Sequence, residues 1–213
     1  MKLEVEPYLR QLADWPDEGR HILAQYESDS VIVYQAYRPA IGLFAAENGY
    51  FGGDFSYKRM SWIKTNFLWM MYRSGWGTKK GQEVVLAIRS KREGFNSLLE
   101  NAVHSTFVPE AYGNRDEWQE KVRDSEVRLQ WDPDRSPDGG KAARRAIQLG
   151  LEGKRLESYG RDWIVNIEDI SSFVREQHKK VMNRNLAELM TPKERIYPVA
   201  DPSTAARLGI SML

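Results

Sequence analysis

The chain has 213 residues, enough for one well-cored domain and too few for two large ones. Its 31 Lys and Arg stand against 30 Asp and Glu, leaving a net charge of +1, so no global field draws it to nucleic acid or an anionic membrane, although local clusters can. The absence of cysteine excludes disulfides, thiolate metal sites and a cysteine nucleophile, and three histidines far apart in sequence (His21, His104, His178) make a His-rich centre improbable; no metal is expected.

The opening "MKLEVEPYLRQLADW" lacks the apolar core and cleavage site of a signal peptide. No apolar run approaches the roughly 20 residues needed to span a bilayer. The expectation is a cytoplasmic protein with no membrane partner; oligomeric state is left open.

In chain order, residues 4–28 carry helical spacing broken at Trp15-Pro16, which predicts two short helices in an N-terminal helical segment spanning 1–28. "SDSVIVYQAY" reads as a strand, because Val31, Ile32, Val33, Tyr34 and Tyr37 are β-branched or aromatic. "RPAIGLFAAENG" reads as a helix with Pro39 in its first turn and Gly49 just past its end. "RMSWIK" is extended. Thr65 or Asn66 can then cap a helix through "FLWMMYRS", closed by Gly75.

"QEVVLAIRS" is the clearest strand, and "REGFNSLLENAVHS" places Phe95, Leu98, Leu99 and Val103 on one helical face. "SEVRLQWDP" alternates Val127, Leu129 and Trp131 inward against Glu126, Arg128 and Gln130 outward, a half-buried antiparallel strand. "DRSPDGGKAARRAIQLG" reads as a turn, the segment most prone to disorder, leading into a short helix. "DWIVNIED" is another strand, residues 171–190 the longest helix, and 191–213 an extended, Pro-interrupted tail. Irregular alternation of strands and helices predicts one α+β domain over 1–213, with a mixed, mostly antiparallel sheet flanked by helices.

Three groups of residues can carry chemistry. In "YQAYRPA", Tyr34 and Gln35 point to opposite faces of a strand, and Arg38 stands where the chain leaves it, offering a planar fork to phosphate or carboxylate. The plainer account is a core Tyr pair and a surface Arg. In residues 58–80, Lys58, Arg59, Lys64, Arg73, Lys79 and Lys80 frame Trp62, Trp69 and Trp76. Such a frame suits a nucleotide, with cations on the phosphates and aromatic faces against the ring. A solvated surface around a buried helix explains the same residues. In "GQEVV", Glu83 stands at the mouth of a strand, where a carboxylate can accept from a sugar hydroxyl or face developing positive charge. It can equally be a solvent-exposed strand end. Phosphate-loop and dinucleotide fingerprints are absent.

The segments "VIVYQAYRPAIG", "RMSWIKTNFLWMMYRSGWGTKKGQEVVLAI", "VRLQWDPDR" and "RRAIQLGL" resemble the family catalogued as domain of unknown function 4291, which implies no reaction. At the level of fold the chain is also similar to ADP-ribosyltransferase-like enzymes. A strand ending in Tyr and Arg, a Ser-aromatic segment and a strand opened by Gln-Glu match the order of that superfamily's signature.

The second resemblance implies NAD as the ligand, with Arg38 holding it and Ser61 and Trp62 lining the nicotinamide pocket; in the expected reaction Lys64 joins Arg38 on the diphosphate. It makes Glu83 the catalytic acid, with Gln130 its rival as third element. Arg38 departs from the pattern by following the strand, and Ser61 by standing outside a Ser-Thr-Ser run. Tyr34, Gln35, Tyr37, Arg73 and Trp76 complete the candidate ligand site. The expected function is an NAD-consuming transferase of the ADP-ribosyl type acting on an unknown acceptor, nucleic acid among the candidates. A non-catalytic nucleotide- or nucleic-acid-binding module built on residues 58–80 is the alternative.

Overall fold

A computed structural model of the chain describes residues 3–211. From the N-terminus run β1 (Val5–Pro7), α1 (Tyr8–Asp14), β2 (Leu23–Ala24), β3 (Ser30–Tyr37), α2 (Pro39–Asn48), β4 (Ser61–Lys64), α3 (Phe67–Ser74) and β5 (Val84–Lys91). There follow α4 (Arg92–Asn101), β6 (Val103–His104), α5 (Pro109–Tyr112), α6 (Arg115–Asp124), β7 (Val127–Arg135), β8 (Lys141–Leu151) and α7 (Gly153–Glu157). The chain closes with β9 (Ile164–Asp169), α8 (Ser171–Met182), β10 (Met190–Pro192), β11 (Arg195–Ile196) and α9 (Pro202–Leu208).

Seven strands make one sheet in the order β6-β7-β8-β4-β3-β5-β9. Among the described residues of this sheet only the β6–β7 pair is parallel, so the sheet is mixed and mostly antiparallel, and the domain is α+β. Alternation along β3 sorts its side chains to two layers. Val31 and Val33 join Ile63, Leu86, Leu149, Ala45 of α2 and Phe95, Leu98 and Leu99 of α4 on one face. Ile32 and Tyr34 join Val85, Phe67 and Met70 of α3, Tyr8 of α1 and Val174 of α8 on the other. Each large aliphatic or aromatic side chain buried this way contributes about 1.5–3 kcal/mol. Two small ribbons, β1–β10 and β2–β11, tie the N-terminal segment to the C-terminal one.

Several expected elements take another form. The helix after Pro16 does not form; Gly19 turns with φ of +87° and Leu23–Ala24 pairs with β11, so burial of Ile22, Leu23 and Ala24 wins over helical spacing. Helix α4 stops at Asn101 and Val103 belongs to β6. "KAARRAIQLGL" is strand β8, not helix, because it pairs with β7 on one side and β4 on the other, and that double ladder overrides the local preference of Ala and Arg. The "SPDGG" segment is its tight hairpin turn, with the Ser136 N–H donating to Gly140 O. Helix α8 ends at Met182, and the C-terminal segment, expected to be extended, carries β11 and helix α9, whose N-terminus Asp201 caps through Ser203 and Thr204.

Helix α3 is placed by a buried carboxylate. The Asn66 side chain caps it, accepting from Trp69 N–H at 2.7 Å. Glu194, between β10 and β11, accepts from Phe67 N–H at 2.6 Å and from Asn66 Nδ2 at 3.3 Å. Burial pushes the Glu194 carboxyl well above the ordinary carboxylate range, more strongly than the Phe67 hydrogen bond pulls it down. The folded state therefore keeps a proton that the unfolded chain has lost, and stability falls as pH rises from the ordinary carboxyl value through the raised one. We predict that Glu194→Gln removes this slope: the melting temperature of the wild type, minus that of the variant, should decrease from pH 4 to pH 8 in a thermal-melt series. A constant difference would refute it.

Candidate functional site

The β3–β4 ladder consists of one residue pair, Tyr34 opposite Lys64. Beyond it, toward the end of β3 and the start of β4, the two strands part. The gap leaves backbone groups that a longer ladder would have satisfied. The side-chain amide of Gln35 fills it: Nε2 donates to Tyr37 Oη at 2.7 Å and Ser61 Oγ at 2.9 Å, and reaches Trp62 O at 3.3 Å. The Tyr159 hydroxyl, on the π-helical turn Ser158–Asp162, donates to Gln35 Oε1 at 2.9 Å and so fixes which way the amide faces. Tyr37 and Ser61 hydroxyls share a 2.7 Å contact, and burial raises the Tyr37 phenol above its ordinary value.

Where the strands part, a cleft of about 470 Å³ opens. Sheet and helix build it together. In an antiparallel ladder directly opposed residues share a face. Tyr34 lies opposite Lys64, Lys64 opposite Gln148, and Gln148 opposite Gln130, so Lys64, Gln148 and Gln130 stand in one row across β4, β8 and β7. Trp62, two residues before Lys64, shares that face. Its ring lies over Gly150, where a Cβ would come within 2.9 Å of the indole. Helix α3 supplies Trp69, Met70 and the exposed Arg73 on the opposing wall.

Lys64 is the unusual member. It is 5% exposed, and among the described residues no carboxylate lies within ion-pair distance of its amine, whose polar contact is Trp62 O at 3.4 Å. Nζ also sits 5.3 Å from the Trp69 ring centroid. Burial, with Arg73 adding to it and Asp132 opposing it, brings the Lys64 ammonium down to about 7. A buried amine without a counter-charge, at the wall of a cleft, marks this as the candidate site.

The structure thus brings together Gln35, Tyr37, Ser61, Trp62, Lys64 and Arg73, with Gln130 as a further wall residue. Four residues proposed from sequence lie elsewhere. Tyr34 points into the core, with its hydroxyl buried and without a partner among the described residues. Trp76 is buried against His178 in a 5.4 Å parallel stack, and its Nε1 donates to Pro137 O, so it props the β7–β8 hairpin and is not a lining residue of this cleft. Arg38 is 54% exposed and pairs with Asp54 at 3.0 Å. Glu83 follows the lining residue Gln82 but is not itself in the lining; its Oε1 accepts from Gly81 N–H at 2.8 Å, a bond that holds the carboxyl below its usual range. Of the lining, the sequence does not signal Gln148, whose segment has the composition of a helix, or Met70, which belongs to a helix apolar on every side; Trp69 is among the framed tryptophans. Among the described residues no group of three or more His, Asp or Glu side chains can hold a metal ion, and no helix is long and apolar enough to cross a membrane.

The shifted amine gives a direct measurement. Competitive labelling of the amines with a small acylating reagent, read peptide by peptide, should show Lys64 reacting with a midpoint near pH 7, against about 10.4 for an ordinary lysine. A midpoint above pH 9.5 would mean that the amine is solvated or paired.

A search of curated proteins finds no match. A family model covers residues 21–197, which takes in β3, β4, α3, β7, β8 and Glu194, and hence every wall of the cleft. The chain belongs to the family described as Domain of unknown function (DUF4291).

Proposed function

We propose that the β3–β4 cleft binds a nucleotide, with NAD as its ligand and transfer of ADP-ribose to an acceptor as the reaction. The observation that carries the binding half is Lys64: a buried amine with no carboxylate partner among the described residues, at the wall of a cleft whose mouth also offers the exposed Arg73 guanidinium. Two cations of different character suit a phosphate chain, since Lys acts as a point charge and Arg as a planar fork. The half-buried face of Trp62, held by Gly150, suits a planar ring beside them. Gln35, Tyr37 and Ser61 add hydroxyl and amide groups at the inner end, where a sugar or carboxamide can be hydrogen-bonded.

NAD, when bound, supplies a ribose carbon that becomes positively charged as its bond to nicotinamide breaks. The chain's own candidate to face that charge is Glu83. Its hydrogen bond from Gly81 favours the ionised form, which is the form such a role needs. It follows cleft-lining Gln82 directly, and this adjacency is what supports including it. Arg38, paired with Asp54 at the surface, has less to support it. Reading residues 58–80 as a single-strand nucleic-acid platform is disfavoured by the burial of the Trp69 and Trp76 rings, which leaves Trp62 as the one accessible tryptophan of the three.

Saturating NAD should raise the melting temperature, by about 2.7 kcal/mol of added stability at 100 times Kd. Lys64→Met should weaken binding about 10- to 100-fold while leaving the fold intact, the usual cost of losing a charged hydrogen bond. The pH dependence follows from the same amine. A bound phosphate holds the proton on Lys64, so affinity should fall as pH rises from 7 to 9, and in Lys64→Arg that fall should disappear because guanidinium stays charged. Glu83→Gln should abolish nicotinamide release without changing Kd. No thermal shift with NAD, together with no nicotinamide release, would sink the proposal; binding without release would leave the nucleotide site and remove the transferase.

A further inference from the structure

The row of side chains beside Lys64 carries information about which nucleotide. Gln130 Nε2 donates to Asp132 Oδ1 at 2.9 Å, and Gln148 Nε2 donates to Asp132 Oδ2 at 2.6 Å. A carboxylate offers acceptors only. Each glutamine must therefore turn its NH2 group toward Asp132, since a flipped amide would set oxygen against oxygen. The orientation of both amides is decided by the chemistry of the shared partner. With their NH2 groups engaged, the two glutamines are left with carbonyl oxygens. Both residues line the cleft, and among the described residues no protein donor reaches either Oε1.

The ladder sets these oxygens in line with the cation. Lys64, Gln148 and Gln130 occupy opposed positions on adjacent strands, which lie about 4.8 Å apart. A ligand whose anionic part meets Lys64 thus meets two hydrogen-bond acceptors further along the same wall. We infer that the cleft selects a nucleotide bearing an amino-type donor, an exocyclic amine or a carboxamide, through the Oε1 atoms of Gln130 and Gln148. This inference rests on the nucleotide reading above. Selection acts in both directions. A ligand NH2 completes the two carbonyls, whereas a carbonyl or carboxylate in its place faces two oxygens backed by the negative charge of Asp132.

Two matched pairs test it on the full chain by titration calorimetry. ADP against IDP differs in the 6-amino group of the purine; nicotinamide mononucleotide against nicotinic acid mononucleotide differs in the carboxamide. The amino member should bind at least about tenfold tighter in one pair, the least expected for a lost hydrogen bond that leaves acceptors unpaired, and that pair identifies which end of a dinucleotide occupies the wall. Gln148→Met and Gln130→Leu should each pull the ratio toward one while leaving binding of the deaminated member unchanged or tighter. Equal affinities within both pairs, or a ratio that ignores both variants, would overturn the glutamine assignment while Lys64-dependent binding kept the nucleotide site standing. Failure of all four nucleotides to bind would remove both readings together.

Discussion

A single residue pair, Tyr34 with Lys64, holds β3 to β4 and keeps the seven-stranded sheet in one piece. A full ladder there would close the sheet and leave no cleft; no ladder would split the domain into two smaller sheets. The gap beyond the pair is tolerated because Gln35, steered by Tyr159, supplies donors where the ladder supplies none, to Ser61 Oγ and Trp62 O. The position of the cleft, its polar inner end and the exposure of β4's first residues to it all follow from this one interruption.

The same arrangement explains why Lys64 is costly to fold. Its side chain emerges at the last ladder position, on the face that α3 covers, so it is drawn into the protein before any counter-charge is met. Burial of an unpaired ammonium is unfavourable, and the amine responds by giving up its proton more readily. The strain is sustained by a rigid frame. Asn66 caps α3 from within, Glu194 grips its first turn from the C-terminal segment, and the ribbons β1–β10 and β2–β11 hold that segment in place. A buried ion pair, Asp134 with Arg144 at 2.7 Å, ties β7 to β8 on the far side of the glutamine row.

Much of the local structure was legible in the residues themselves. The β-branched run at 30–37, Pro39 and Gly49 around α2, and Asn66 and Gly75 around α3 each act through their own backbone preferences, and each forms as expected. Elements whose form depends on a distant partner were not. "KAARRAIQLGL" has the composition of a helix and becomes a strand because two neighbours bind it, and Leu23–Ala24 becomes a strand because β11 arrives from the other end of the chain. The candidate site divides along the same line. Lys64, Arg73 and Trp62 belong to one run of cations and aromatics, Gln35 and Tyr37 to the strand before it, and Ser61 enters through the fold-level resemblance; only the fold puts them on one cleft. Trp76 stands among the same cations in sequence, but Gly75 turns the chain out of α3 and the Trp76 ring stacks on His178, away from the cleft.

What the sequence by itself determined, then, is the class of side chain available, cations beside aromatic rings on a short strand and the helix after it, together with the α+β composition of the domain. Those depend on residue identity and on spacing within a few turns. Which of them face one cleft was decided by the tertiary structure alone. Strand register across β4, β8 and β7 sets Lys64 beside Gln148 and Gln130, residues 84 and 66 positions away, while the packing of α3 against the sheet buries Tyr34 and Trp76 in the core. The physical reason is that a shift of one residue in any of those ladders would turn the whole row to the opposite face, and register is fixed by burial summed over the entire sheet.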